Sequence, residues 1–77
     1  MVADIRRMRD LREDSDLNQT QVAEILGISQ TVYSRYERGA TELPLRHLVA
    51  LCRFYNVSAD YLLGFINTPN PYRIKYK

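Results

Sequence analysis

Four polar side chains between residues 30 and 35 could hydrogen-bond the edges of DNA bases or the phosphates beside them. They share the outer side of a predicted helix: Gln30, Thr31, Ser34 and Arg35. A glutamine amide can pair with N6 and N7 of adenine, and a guanidinium can pair with O6 and N7 of guanine. Tyr33 and Tyr36 lie three positions apart on the opposite face, which is predicted to turn inward with the hydroxyls at its rim. This is the layout of a helix that reads DNA.

A tight turn is predicted between this helix and the one before it. Ala23 is small where the second helix must cross close to the first. Gly27 stands where the chain leaves the first helix, a position that often requires a positive φ angle. Ile28 fills the corner, and the Ser29 hydroxyl can cap the free N–H groups of the next helix. The pattern predicts a helix-turn-helix over residues 19–37.

The remaining periodicity predicts an all-α, five-helix bundle. Asn18 and Ser58 are suitable N-caps, Pro44 fits a first helical turn, and Gly39 and Asn56 suit helix C-termini. The predicted helices span about residues 4–14, 19–26, 30–38, 44 to 54 or 55, and 59–63. The side chains of the second helix that are predicted to face largely inward are Val22, Ala23, Ile25 and Leu26. The compact domain is predicted to cover residues 1–64, followed by a basic C-terminal tail or arm over residues 65–77.

Length and composition limit the chain to one small domain. Its 77 residues are 45% hydrophobic and 26% charged, which is typical of neither a disordered nor a membrane-embedded chain. No apolar run approaches the roughly 20 residues of a spanning helix, and the N-terminus lacks the apolar segment of a signal peptide. We therefore expect a cytoplasmic protein. The single Cys52 cannot form an internal disulfide and is predicted to be a small core residue.

The formal charge of +2 is unevenly distributed. Residues 1–64 contain eight arginines and nine acidic residues, whereas residues 65–77 contain three basic residues and no acidic one. The predicted domain is therefore nearly neutral, and any positive surface on it must be local.

The sequence shows no sign of catalysis or of metal binding. His47 has no second histidine or nearby cysteine at metal-ligand spacing, so we expect a surface or helix-face role rather than catalysis. There is no nucleophile paired with a base, no pair of carboxylates suited to a cleft and no glycine-rich phosphate loop. We expect no enzyme activity, no cofactor, no metal and no small-molecule ligand.

Residues from Met8 to Gly64 resemble the Cro and lambda-repressor class of helix-turn-helix domains. The matching segments are Leu-Arg at 11–12, LNQ at 17–19, VAEILGIS at 22–29, YERG at 36–39 and NVSADYLLG at 56–64. An ordered set of five such segments is far more specific than one turn signature. The resemblance implies a five-helix domain that binds operator DNA, usually as a two-fold dimer, and acts as a repressor or less often as an activator.

The resemblance also implies roles for individual residues. The positions that would reach bases or nearby phosphates are Gln30, Thr31, Ser34 and Arg35. The positions that would contact the DNA backbone are Asn18, Gln19, Ser29, Arg38 and Arg46. Val32 lies between the outward residues, and an exposed β-branched side chain there suggests contact with a thymine methyl group. Arg12 and Glu37 match a pair that forms a partly buried salt bridge between the first and third helices.

Two departures from the family pattern indicate that one domain alone binds DNA with modest affinity. The loop over residues 40–43 lacks the basic residues of many members and contains Glu42, which would repel phosphate. Four acidic residues cluster around the end of the first helix: Asp10, Glu13, Asp14 and Asp16. Because phosphate contacts dominate affinity, we expect dimerisation to supply the remainder.

The dimer interface and the tail are predicted near the end of the domain. Apolar side chains that could form the centre of a homodimer interface are Tyr61, Leu62, Phe65 and Ile66. Residues 72–77 alternate apolar and basic side chains, a pattern typical of a strand or an extended arm. The tail could be a disordered linker, an arm that follows phosphates, a strand added to a partner subunit, or the beginning of a regulatory region. We favour an ordered or partly ordered dimer contact slightly over disorder.

Two other functions remain open at the level of the sequence. A protein-interaction module, such as an antitoxin or an adaptor, is favoured by the nearly neutral domain and by Glu42. Double-stranded DNA as the partner is favoured more strongly by Gln19, Gln30, Arg35 and Arg38 at matching positions. The chain could also be the DNA-binding part of a longer regulator.

Overall fold

Five α-helices form the part of the chain, residues 6–67, that the computed structural model describes. The helices are α1 Arg6–Asp14, α2 Gln19–Leu26, α3 Gln30–Arg38, α4 Leu45–Tyr55 and α5 Ala59–Leu62. No strand occurs within these residues, so the predicted all-α, five-helix fold is confirmed. The predicted start of the first helix at residue 4 and the predicted extended segment over residues 72–77 lie outside the described range.

Local hydrogen bonds set the ends of α2 and α3. Asn18 Oδ1 accepts the backbone N–H of Gln21 at 2.8 Å, and Gln21 Oε1 accepts the N–H of Asn18 at 2.8 Å, which is a complete capping box. Gly27 ends α2 in the left-handed region with φ 73°, where its lack of a Cβ avoids strain. Ser29 Oγ then accepts the N–H of Val32 at 3.2 Å and begins α3. The turn therefore holds α3 against α2 through local interactions.

Two tyrosines of α3 lie at the centre of the core. Tyr33 is inaccessible to solvent and Tyr36 is 5% exposed, and their rings meet edge to face with centroids 6.5 Å apart. Buried residues from every helix surround them: Met8, Val22, Ala23, Leu51 and Leu62. Both rings face inward as predicted, but neither hydroxyl is at the rim, since that of Tyr36 lies against the buried His47 and that of Tyr33 against Glu37. The Tyr33 hydroxyl donates a 2.6 Å hydrogen bond to Glu37 Oε2.

Ile25 is not an inward residue, contrary to the prediction from the sequence. Its side chain is 44% exposed, whereas Val22 and Ala23 are buried and Leu26 packs against the core. On a helical wheel Ile25 falls about 100° from the middle of the face that the other three share. The apolar composition of α2 is therefore broader than the face that it buries.

The apolar face of α4 is likewise only partly covered. Leu51 is fully buried, but Leu45 is 74% exposed and Val49 is 41% exposed. Pro44 lies at the N-cap of α4 with extended backbone angles, one position before the predicted first turn.

His47 is buried on one face of α4, so of its two predicted roles, at the surface or on a helix face, the surface role is wrong. His47 is 6% exposed because it lies one helical turn before Leu51 and shares the inward face of α4. The Tyr36 hydroxyl lies 3.3 Å from His47 Nδ1, and burial lowers the pKa of the imidazole. This histidine is therefore a core residue, and its burial favours the neutral imidazole.

Candidate nucleic-acid interface

A buried carboxylate, that of Glu37 near the end of α3, organises the surface that the sequence marked for DNA contact. Its side chain is 5% exposed and that of Arg12 on α1 is 12% exposed. Arg12 Nε donates to Glu37 Oε2 at 2.7 Å, and Arg12 Nη2 donates to Oε1 at 3.1 Å. This two-pronged pairing joins α1 to α3, the two helices that the sequence associated through these residues.

Two further side chains donate to the same carboxylate. The Tyr33 hydroxyl donates to Oε2, and Gln19 Nε2 donates to Oε1 at 3.1 Å. Burial alone would raise the pKa of Glu37, but the hydrogen bonds from Arg12, Tyr33 and Gln19 outweigh it and hold the pKa below the ordinary range. Burial and the bond to Glu37 raise the pKa of Tyr33, so its hydroxyl remains a donor. Glu37 is therefore an ionised group with both oxygens occupied.

The hydrogen bonds continue from the buried carboxylate to the surface. Gln19 is the first residue of α2, and its Oε1 accepts a 2.6 Å hydrogen bond from Nε2 of Gln30, the first residue of α3. Gln19 is half-buried, whereas Gln30 is exposed. The structure thus connects the Arg12–Glu37 salt bridge with Gln19 and Gln30, which the sequence had assigned to phosphate and base contact.

The residues proposed for base contact do not all lie on the surface. Gln30, Thr31 and Arg35 are exposed, and Ser34 is half-buried. Val32 is also half-buried and packs against the core, so the expectation that it is exposed is wrong. Its position directly before the buried Tyr33 places it at the edge of the inward face rather than at the centre of the outward one.

The residues proposed for backbone contact are exposed except Gln19. The exposed ones are Asn18, Ser29, Arg38 and Arg46. The side-chain oxygens of Asn18 and Ser29 already accept backbone N–H groups as helix caps. These two residues therefore retain the amide N–H₂ and the hydroxyl hydrogen for an outside acceptor.

One residue of the proposed dimer interface is misplaced. Leu62 is 1% exposed and belongs to the core, because it lies on the side of α5 that faces α1 and α4, so it does not contribute to an external surface. Phe65 is 49% exposed and Ile66 is 40% exposed, and Tyr61 is half-buried. The described part of the proposed interface is therefore reduced to three side chains.

Arg7 of α1 holds this region in place. Its guanidinium lies 4.2 Å from the centroid of the Tyr61 ring, and Nη1 donates to the carbonyls of Tyr61 at 3.0 Å and Ile66 at 3.1 Å. Nη2 donates to Asn67 Oδ1 at 3.0 Å. The sequence contains no signal for this contact, because the partners are 54 to 60 residues away.

Neither a metal centre nor a membrane span is present in residues 6–67. No group of three or more His, Cys, Asp or Glu side chains in this range is arranged to hold a metal ion. No helix in the same range is long and apolar enough to cross a membrane.

The chain matches the family model described as Helix-turn-helix over residues 8–62. It is 42% identical over 66 residues to the uncharacterised HTH-type transcriptional regulator YobD of Bacillus subtilis strain 168, covering 86% of this chain and 59% of that protein. It is 34% identical over 71 residues to the cryptic phage CTXphi transcriptional repressor RstR of Vibrio cholerae, covering 92% of this chain and 64% of that protein. The chain thus spans less than two thirds of each relative.

A solved structure with a similar fold contains DNA. The P22 c2 repressor protein, in complex with synthetic operator 9T, superposes with a TM-score of 0.70 and 32% sequence identity. The match covers 77% of this chain and 89% of the repressor chain.

The buried pairing predicts a large stability difference between two arginines of α1. Replacing Arg12 by Met should lower the free energy of unfolding by about 3–5 kcal/mol, because it leaves the buried Glu37 carboxylate without its cation. Arg9→Met is the matched control: Arg9 and Glu13 are 66% and 52% exposed, and the loss should be under about 1 kcal/mol. Urea unfolding followed by circular dichroism measures both, and equal losses would contradict the buried role of Arg12.

The lowered pKa of Glu37 predicts a characteristic acid sensitivity. The pKa of Glu37 is lower in the folded chain than the value of about 4.3 in an unfolded one. The stabilisation of the fold by the ionised Glu37 carboxylate is therefore complete above that pH, and it is lost as the pH falls through the folded-state pKa. The free energy of unfolding should therefore fall more steeply below about pH 5 in the wild type than in Glu37→Gln. Parallel curves from urea unfolding at several pH values would show that Glu37 does not contribute in this way.

Proposed function

Because the chain belongs to the Cro/C1-type helix-turn-helix family, which consists of DNA-binding transcription regulators and not of enzymes, we propose that it represses transcription by binding an operator as a homodimer. In this proposal α3 of each subunit enters the major groove of one half-site, and the half-sites lie about one helical turn apart, roughly 34–36 Å. Such a role places the protein in the cytoplasm.

The outward side of α3 is the observation that carries this proposal. Gln30, Thr31 and Arg35 are exposed on it while Tyr33 and Tyr36 on the opposite side fill the core, so α3 is held with its polar side outward. Gln30 would read adenine, Arg35 would read guanine, and the hydroxyls of Thr31 and Ser34 would bond bases or nearby phosphates.

The ends of α2 and α3 nearest to Gln30 are suited to phosphate. The first turns of both helices carry free backbone N–H groups and the positive end of the helix dipole, which favour an anion. Asn18, Gln19 and Ser29 stand at these ends. Arg38 and Arg46 would add charged contacts to the DNA backbone, which position the protein without reading sequence.

A homodimer is proposed through the apolar surface that follows α5. Phe65 and Ile66 are large apolar side chains that are 49% and 40% exposed, and Arg7 fixes the backbone between them and Tyr61. Pairing this surface across a two-fold axis would remove it from water. It would also double the DNA contacts of a domain that has little net positive charge.

The direct test is to replace the proposed base-reading residues of α3 and to measure binding to the operator. Duplexes selected by the wild type from a random library at near-physiological salt should contain an inverted repeat. Gln30→Ala and Arg35→Ala should each weaken binding to the selected operator by about 5- to 150-fold and relax preference at one base position per half-site. Dissociation constants by fluorescence anisotropy measure the effect.

Arg53→Ala is the control for charge, since Arg53 is an exposed arginine on α4 beside the groove between α4 and α5. It should change operator binding by less than about twofold at physiological salt. A selection without an enriched sequence would refute direct readout and favour the protein-interaction module, whose partner would then be a second protein.

If the chain forms this homodimer, its assembly should depend on protein concentration. A single charged substitution at the interface should prevent it. Phe65→Asp should shift the sedimentation coefficient from dimer to monomer, because an unpaired carboxylate at an apolar interface is costly to desolvate. The thermal midpoint of the dilute monomer should stay nearly unchanged, since Phe65 is half exposed there. A wild type that sediments as a monomer even with operator DNA present would refute the homodimer.

A further inference from the structure

The ionised carboxylate of Glu37 determines which way the Gln19 amide must point. A carboxylate accepts hydrogen bonds and cannot donate them, so the group that Gln19 turns toward Glu37 Oε1 at 3.1 Å must be its Nε2. The orientation of a glutamine amide is assigned from such networks, and here the network allows only one. Gln19 therefore turns its Oε1 toward α3.

The same constraint passes to Gln30. Because Gln19 presents the acceptor Oε1, Gln30 must donate its Nε2–H to it, and Gln30 Nε2 lies 2.6 Å from Gln19 Oε1. One N–H of Gln30 is thereby occupied, which leaves one N–H and the carbonyl oxygen free. This set matches adenine, which offers N7 as an acceptor and N6 as a donor. It does not match guanine, which offers two acceptors, N7 and O6, to the major groove.

We propose that Glu37 is a positioning residue for base recognition, setting through Gln19 the hydrogen-bond polarity of Gln30 so that Gln30 selects adenine against guanine. This inference rests on the proposed function, in which Gln30 reads a base. Glu37 does not contact DNA in this scheme, and its effect passes through two glutamines.

The remaining contacts of Glu37 keep the relay in one direction. Arg12 and Tyr33 occupy Oε2, and Arg12 Nη2 shares Oε1 with Gln19, so the carboxylate is held from both sides. A neutral amide in its place could present either an oxygen or an N–H₂ group to Gln19. The chain of hydrogen bonds could then reverse, and Gln30 would have both N–H groups free for guanine.

The test compares adenine with guanine at the base position that Gln30→Ala identifies. In the wild type the dissociation constant for the guanine duplex should exceed that for adenine by at least about fivefold. Glu37→Gln should bring this ratio close to one. Tyr33→Phe is the matched control, because it removes a buried hydrogen bond to Oε2 but leaves a carboxylate facing Gln19, and it should keep the ratio. Equal loss in both variants would mean that Glu37 acts only through packing, and would overturn the proposal.

A second variant keeps the test valid if Glu37→Gln does not fold. Gln19→Met interrupts the relay and leaves the Arg12–Glu37 pairing in place. Gln19→Met should weaken binding to both duplexes, because the phosphate contact of Gln19 is lost. It should also bring the ratio of the guanine to the adenine dissociation constant close to one, as expected for Glu37→Gln. An unchanged ratio in Gln19→Met would overturn the relay.

A measurement on the free protein separates this inference from the proposed function. The side-chain amide ¹H–¹⁵N resonances of Gln30 should move in Glu37→Gln and in Gln19→Met but not in Tyr33→Phe. If the wild type selects no DNA sequence, the proposed function fails, and these resonances still decide whether the relay exists. Gln30 resonances that do not respond to either variant would refute it.

Discussion

The whole arrangement depends on one charge in the interior. Glu37 would be costly to bury alone, so the fold must bring donors to it from three helices: Arg12 from α1, Gln19 from α2 and Tyr33 from α3 itself. Each donor has its partner only when the three helices adopt one relative position. A buried ion pair adds little net stability compared with apolar packing, so the gain here is a defined geometry. That geometry is what a surface that reads base edges needs.

Tyr33 connects the core to this polar network. Its ring is fully buried among apolar side chains, and its hydroxyl reaches the carboxylate one helical turn later. One side chain therefore fills the centre of a small domain and satisfies a buried charge, which an apolar residue of similar size could not do. The turn at Gly27 and Ser29 holds α3 from its other end. Gln30 at the beginning of α3 and Glu37 near its end are thus fixed in one rigid unit.

The sequence correctly predicted the helix caps and helix ends, which local interactions determine. The caps at Asn18 and Ser29 and the left-handed Gly27 depend on neighbours within four residues, and the predicted ends of α2 and α3 agree with the structure. The errors arose where distant parts of the chain decide burial. His47 and Leu62 face inward because α3 and α1 cover them, and Ile25 is 44% exposed because it lies outside the inward face of α2. The positions of Arg12, Glu37, Gln19 and Gln30 came from a family resemblance, but their connection needed side-chain distances.

A nearly neutral domain also places a physical demand on recognition. With eight arginines against nine acidic residues over residues 1–64, the domain has little of the long-range attraction that gives many DNA-binding proteins their non-specific affinity. Weak non-specific binding raises the ratio of specific to non-specific affinity only if the few base contacts are strong. A flexible glutamine loses rotamer entropy when it binds a base, and one already hydrogen-bonded on the protein loses less. Because Gln30 is held by Gln19 and Gln19 by Glu37, the buried charge lowers the entropic cost of the contact on which specificity would depend.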